Sequence, residues 1–106
     1  RVDAVVAETR ITGQAYGMQA LAAHADRLEG RASIASGDVR GGRTLLAAAR
    51  DRFTALGDLW EAARTTLDLA RAGGDAGLAA VAAWFTAIGA VDETDAAQRL
   101  LPAGKP

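Results

Sequence analysis

The stretch whose residue types and spacing come nearest to a known chemistry is Gly37-Asp38-Val39-Arg40-Gly41-Gly42-Arg43-Thr44. It stands one residue away from the phosphate-binding pattern G-x-x-x-x-G-K-[ST]. There, backbone N–H groups cradle phosphates, the Lys reaches the terminal phosphates and the Thr hydroxyl binds Mg²⁺. The surroundings argue against that chemistry. Arg43 replaces the Lys, residues 31–36 carry helical spacing rather than the apolar run of a strand, and no second strand supplies a metal-binding Asp. A glycine-rich turn between helices is the reading adopted. A small-molecule or nucleotide-binding effector loop at residues 37–44 is the alternative.

Other reactive groups are sparse. His24 is the single His and has no partner at metal-ligand spacing. As a general base it would need a nucleophile, and only Ser33 and Ser36 are near it in sequence. The 13 carboxylates are scattered over helix faces and cap positions, with no D-x-D-x-D loop and no Glu-x-x-His pair. Zero cysteines exclude a disulfide framework, a thiolate metal site and a cysteine nucleophile. No catalytic residue, cofactor or metal is therefore expected. With 12 basic against 13 acidic side chains, the net charge is -1, which gives no electrostatic case for direct nucleic-acid binding or an anionic membrane. The longest apolar run, residues 78–85, is far short of the roughly 18 residues a bilayer requires. A cytoplasmic location is the expectation.

The elements that must position these groups are helices. Of the 106 residues 27 are Ala, whereas Val and Ile together number nine. The first has the highest helix propensity, and the others are too few for a sheet. Gly and Gly-Asp punctuate the chain at Gly13, Gly17, Gly37-Asp38, Gly41-Gly42, Gly57-Asp58, Gly73-Gly74-Asp75 and Gly89. Between them the spacing predicts a short helix over 2–12 and longer ones over 14–35, 42–56, 59–72 and 75–88. A last short helix follows over 93–101, capped by Asp92 or Thr94 and stopped by Pro102.

In the second helix Met18, Leu21, Ala25, Leu28, Ala32 and Ala35 recur at steps of three and four, and this stripe is expected to face inward. Gln19, His24, Asp26, Arg27 and Arg31 would face outward. Later inward stripes are Leu45, Leu46, Ala49, Phe53 and Leu56; Trp60, Ala63, Leu67 and Ala70; and Leu78, Val81, Phe85 and Ile88, with Trp84 beside the last. Connections of two to five residues force consecutive helices to run antiparallel. The expected fold is all-α, five or six helices in antiparallel hairpins forming one domain over residues 1–106.

An internal echo supports this order. Phe53-Thr54-Ala55-Leu56-Gly57 and Phe85-Thr86-Ala87-Ile88-Gly89 are nearly identical, and each closes a helix that follows a Gly-Asp turn. Gly30, Gly37-Asp38, Leu46, Ala49 and the run Trp60-Glu61-Ala62-Ala63-Arg64 resemble tetratricopeptide-like repeats of large bacterial signalling and transcriptional regulators. Gly42 stands where that family usually has Ala. About two repeats are visible, so the resemblance implies a piece of a longer array in a larger regulator.

The resemblance also implies a site. In such arrays the first helix of each repeat lines a concave groove, which places His24, Arg27, Arg31, Glu61, Arg64, Asp68 and Arg71 along it. Four arginines over two acids could hold an acidic peptide or carboxylate through forked hydrogen bonds. An Asp68–Arg64 pair along a solvated face is the plainer reading. The expected role is non-enzymatic: a protein-protein interaction or oligomerisation segment, whose partner is another domain, a subunit or an acidic peptide. The broad apolar arc of the helix over 75–88 further predicts a homodimer with Leu78, Val81 and Trp84 at the contact.

Overall fold

The structure, a computed structural model, describes residues 2–73 and 77–101, with side chains from residue 15 onward. Five helices follow one another: α1 (Val2–Ala35), α2 (Val39–Ala55), α3 (Leu59–Arg71), α4 (Leu78–Ala87) and α5 (Val91–Leu100). No strand occurs among the described residues. The all-α, hairpin architecture expected from composition and punctuation is the one observed.

Three connections share one backbone motif. The N–H groups of Asp38, Asp58 and Ala90 donate to the carbonyls five residues back, at Ser33, Phe53 and Phe85, at 2.8, 2.9 and 3.0 Å. Each closure pivots on a glycine of positive φ, Gly37, Gly57 and Gly89, at 104°, 77° and 77°. A side chain strains in that conformation, which is why the helices end at these glycines. Asp38 and Asp58 then accept from the N–H groups of Gly41 and Glu61 at 2.9 and 3.2 Å, starting the next helix. The Phe-Thr-Ala-Leu/Ile-Gly echo is thus a repeated structural unit, with both phenylalanines at 0% exposure.

Several boundaries differ from the spacing-based expectation. Residues 2–12 and 14–35 form one helix of 34 residues, unbroken at Gly13 and Gly17. A lone glycine weakens a helix but ends it only where the chain also closes back on itself, as at Gly37. The helix expected from Gly42 begins at Val39, behind the Asp38 cap. α4 begins at Leu78 behind the left-handed Gly77; Asp75, its expected start, lies outside the described residues. α5 begins at Val91 with Ala90 before it, so Asp92 and Glu93 occupy its first turn, where the helix dipole favours acids. Pro102, the expected stop, also lies outside the described residues.

Packing follows chain order, α1 on α2, α2 on α3, and α4 on α5. Ala23, Ala49, Phe53 and Ala62 form one buried cluster. Ala63, Leu67, Leu78, Ala82, Phe85 and Ala97 form another. Because α3 contributes to both, it is buried nearly all round. Its Thr65 and Thr66 hydroxyls donate to the carbonyls of Glu61 and Ala62 one turn back, which satisfies them without solvent.

The α1–α2 contact depends on close backbone approach. A Cβ on Gly42 would meet the Gly30 carbonyl oxygen at 2.6 Å, and one on Gly30 would meet the Gly42 oxygen and Leu46 Cγ at 2.9 Å. These two glycines bring the helices together, and Leu46, Ala49 and Phe53 then bury fully. This explains why Gly42 replaces the Ala of the resembled pattern.

The main departure concerns which face of α1 turns inward. Ala23 and Gly30 are buried, and Ala20, Arg27 and Ile34 partly so. All six residues of the expected inward stripe are exposed, Met18 and Leu21 at 71% and Leu28 at 64%. Small residues receive the larger side chains of α2, while the large apolar residues of α1 point away. Two smaller corrections concern Trp60 and Ile88. Both are exposed, at 37% and 50%, although Trp60 still touches Trp84 and Phe85 with ring centroids 6.4 and 5.5 Å apart.

Candidate interaction site

The seven residues of the expected groove, His24, Arg27 and Arg31 on α1 and Glu61, Arg64, Asp68 and Arg71 on α3, do share one seam. Its centre is Arg27. The Arg27 Nε donates to Asp68 Oδ2 at 2.8 Å, and Nη1 to Glu61 Oε1 at 3.4 Å. The side chains of Arg27 and Asp68 are only 11% and 7% exposed, so this is a buried, forked ion pair joining α1 to α3. Glu61 and Asp68 lie two turns apart on one face of α3, which is why one guanidinium reaches both.

The outer arginines complete the acids. Arg64 donates to Glu61 at 3.3 Å and Arg71 to Asp68 at 3.3 Å. The expected Asp68–Arg64 pair is therefore replaced by two pairs at three-residue spacing, because Arg27 already holds the inner side of each acid. His24 Nε2 stands 3.8 Å from Glu61 Oε2, and its ring packs edge-on against Phe53 at 4.9 Å between centroids. That packing makes it part of the α1–α2 contact, with 45% of its side chain still exposed.

Two shallow grooves flank the seam. One, of about 230 Å³, is lined by Arg31, Ile34, Ala35, Leu46, Asp68, Arg71 and Ala72. The other, of about 220 Å³, sets Arg64 and Arg71 opposite Asp92 and Glu93 of α5. Those two acids balance the arginine excess that the resemblance implied. Nothing in the local spacing links α5 to α3, so reading the chain in sequence order could not find them. The seam is a latch between helices more than an open cationic trough.

Residues 37–44 are a tight turn followed by the first turns of α2, with the Asp38 carboxylate where a phosphate would have to sit. Arg43 donates from Nε, at 2.6 Å, and from Nη2 to the Ala72 carbonyl, capping the C-terminal end of α3. The Thr44 hydroxyl donates to the Arg40 carbonyl at 3.2 Å. Arg43, the Thr44 hydroxyl and the N–H groups of Gly41 and Gly42 are thus each engaged within the chain. Leu78 is 8% exposed inside the α3–α4–α5 cluster, and Val81 and Trp84 pack partly against it. Of the expected dimer contact, Leu78 is thus taken up inside the chain, whereas Val81 and Trp84 stay partly open. Both line an apolar groove of about 270 Å³ with Leu59, Ala62, Ala63 and Thr66.

Among the described residues no three His, Asp or Glu side chains converge as a metal would require, and no helix is long and apolar enough to cross a membrane. Comparison of the chain with protein-family models, with curated proteins and with solved structures finds no match.

Proposed function

We propose that this chain is a non-enzymatic interaction segment, a tetratricopeptide-like helical hairpin array that serves a larger bacterial regulator by docking helix against helix. One observation carries the reading. The face of α1 bearing Met18, Leu21, Ala25, Leu28, Ala32 and Ala35 is apolar along five turns and open to solvent. Contiguous apolar faces of that kind mark contact surfaces. The polar face of the same helix is committed internally through Arg27, so α1 is held rigidly with its apolar side presented. The adjacency of α1 and α3, alternate helices of the chain, supports the tetratricopeptide-like arrangement.

Leu21→Asp with Leu28→Asp tests this. At micromolar concentration the unfolding midpoint of the double variant should stay within about 2 °C of wild type, since surface changes away from packed features alter stability little. A fall as large as that of a core truncation would show the stripe to be needed inside the chain, and would end the interaction reading.

A further inference from the structure

The open face of α1 has more order than apolarity alone requires. Its residues fall into two series of period seven: Met18, Ala25 and Ala32, and Leu21, Leu28 and Ala35. A strict repeat of seven is the seam of a left-handed coiled coil; a helix packed as part of a globule needs only a broader 3.6-residue stripe. α2 lies on the other side of α1, roughly 170° away around the axis at 100° per residue, so the seam is not used within the chain.

The sizes along the seam are self-complementary when the helix is reversed. Set antiparallel about a point between Asp26 and Arg27, Met18 meets Ala35, Leu21 meets Ala32 and Ala25 meets Leu28. Every large side chain then faces an Ala, so all layers have similar thickness and the two backbones can approach evenly. In the parallel arrangement Leu21 and Leu28 would face themselves, as would Ala25 and Ala32. The leucine layers would hold the helices apart, and the alanine layers would leave gaps. The flanking positions agree: the reversed pair places Ala22 beside Glu29 and His24 beside Arg31, with no two like full charges opposed.

We infer that α1 is a self-pairing helix, taking a second copy of this chain antiparallel along the seam from Met18 to Ala35. This rests on the interaction reading and names its partner. The seam is about 27 Å long and one helix wide, a footprint of roughly 300 Å² per copy. That is well under the ~800 Å² per partner of a standard stable interface. The pair is therefore weak and dissociating, and it forms when copies are held near each other, as subunits of a larger assembly are.

Single-cysteine variants test orientation and register, since the chain has no native Cys. Leu21→Cys mixed with Ala32→Cys should cross-link to a mixed disulfide under mild oxidation. Leu21→Cys alone should not, because two copies of position 21 lie roughly 16 Å apart along the reversed pair, far beyond the ~7 Å Cα limit of a disulfide. Sedimentation of wild type from about 10 μM to about 1 mM, the range in which so small a seam would associate, should show a rising dimer fraction, and Leu28→Asp should weaken it at least tenfold. Self-cross-linking of Leu21→Cys in preference to the mixed product would establish a parallel pair and overturn the inference. So would wild type that remains monomeric throughout. Neither result touches the interaction reading, which fails only if the charged stripe variants unfold the monomer.

Discussion

The two faces of α1 exchange their expected roles. The inner face carries Ala23, Arg27 and Gly30, and the outer face carries Met18, Leu21 and Leu28. Ranked by transfer free energy the assignment should be the reverse. Two things decide otherwise. Gly30 and Gly42 let the α1 and α2 backbones approach, so Phe53 and Leu46 supply the buried area from the α2 side. Arg27 meets two carboxylates on α3, so its charge enters the interior already paired. An inner face is defined by what it can receive from its neighbours, and on α1 that is bulk and negative charge.

Substitutions can break this comparison, and the largest effect is expected on the receiving side. Phe53→Ala should cost about 3–5 kcal/mol, because the ring is fully buried against Ala23, Ala49 and Ala62, which are too small to close the cavity. Denaturant unfolding measures it. A loss below about 1 kcal/mol would mean that the α1–α2 contact is not the core it is taken for.

Next comes the latch. Arg27→Met leaves Asp68 buried without its strongest partner and should cost about 3 kcal/mol, within the range for breaking a buried pair. Arg27→Met combined with Asp68→Leu should recover most of that loss, since no charge is then left stranded. If the single and double variants are equally unstable, Arg27 acts by filling space and not by pairing.

A smaller effect is expected at the point of closest approach. Gly42→Ala adds a methyl that would sit 2.6 Å from the Gly30 carbonyl oxygen, so α1 and α2 must move apart. About 1–3 kcal/mol is expected from overpacking, against the few tenths gained where a helical Gly→Ala change has room. A stabilised variant would show that the helices are less tightly apposed than the structure has them.

These residues also show what the sequence makes legible. The turns at Gly37, Gly57 and Gly89 could be read directly, because positive φ and the closing bond are local properties of a few residues. So could the stripe of α2, where Leu46 and Phe53 stand as large apolar residues at helical spacing with Ala49 between them. The inner face of α1 was not legible by periodicity: Ala, Gly and Arg carry no apolar contrast, and the larger Met and Leu residues mark the opposite stripe. The seam was legible in membership, since the resemblance set α1 and α3 side by side. Its pairing was not, because Arg27 and Asp68 stand 41 residues apart and nothing local distinguishes Arg64 from Arg71 as the partner of Asp68. The acids of α5 are illegible for the same reason. Unbroken passage of α1 through Gly13 and Gly17 is likewise hidden, because glycine marks a stop only when the following residues complete the closure.

The smallest effect is expected on the outer face, and one side chain reports on it cleanly. Met18 is the only methionine, and the chain has no cysteine, so mild peroxide oxidation is directed to a single sulfur. At 71% exposure it should oxidise readily. The sulfoxide is polar, but in the monomer the side chain already faces water, so stability at micromolar concentration should change by less than about 0.5 kcal/mol. At millimolar concentration the same modification should reduce association, because in the reversed pair Met18 would lie against Ala35 of the second copy. Any stability difference between wild type and oxidised chain should therefore appear only as concentration rises, the signature of a contact made between copies. If oxidation destabilises the dilute monomer by more than about 1 kcal/mol, the outer face is performing a packing role within the chain. The contrast between the two faces of α1 would then have to be abandoned, whatever the inner face does.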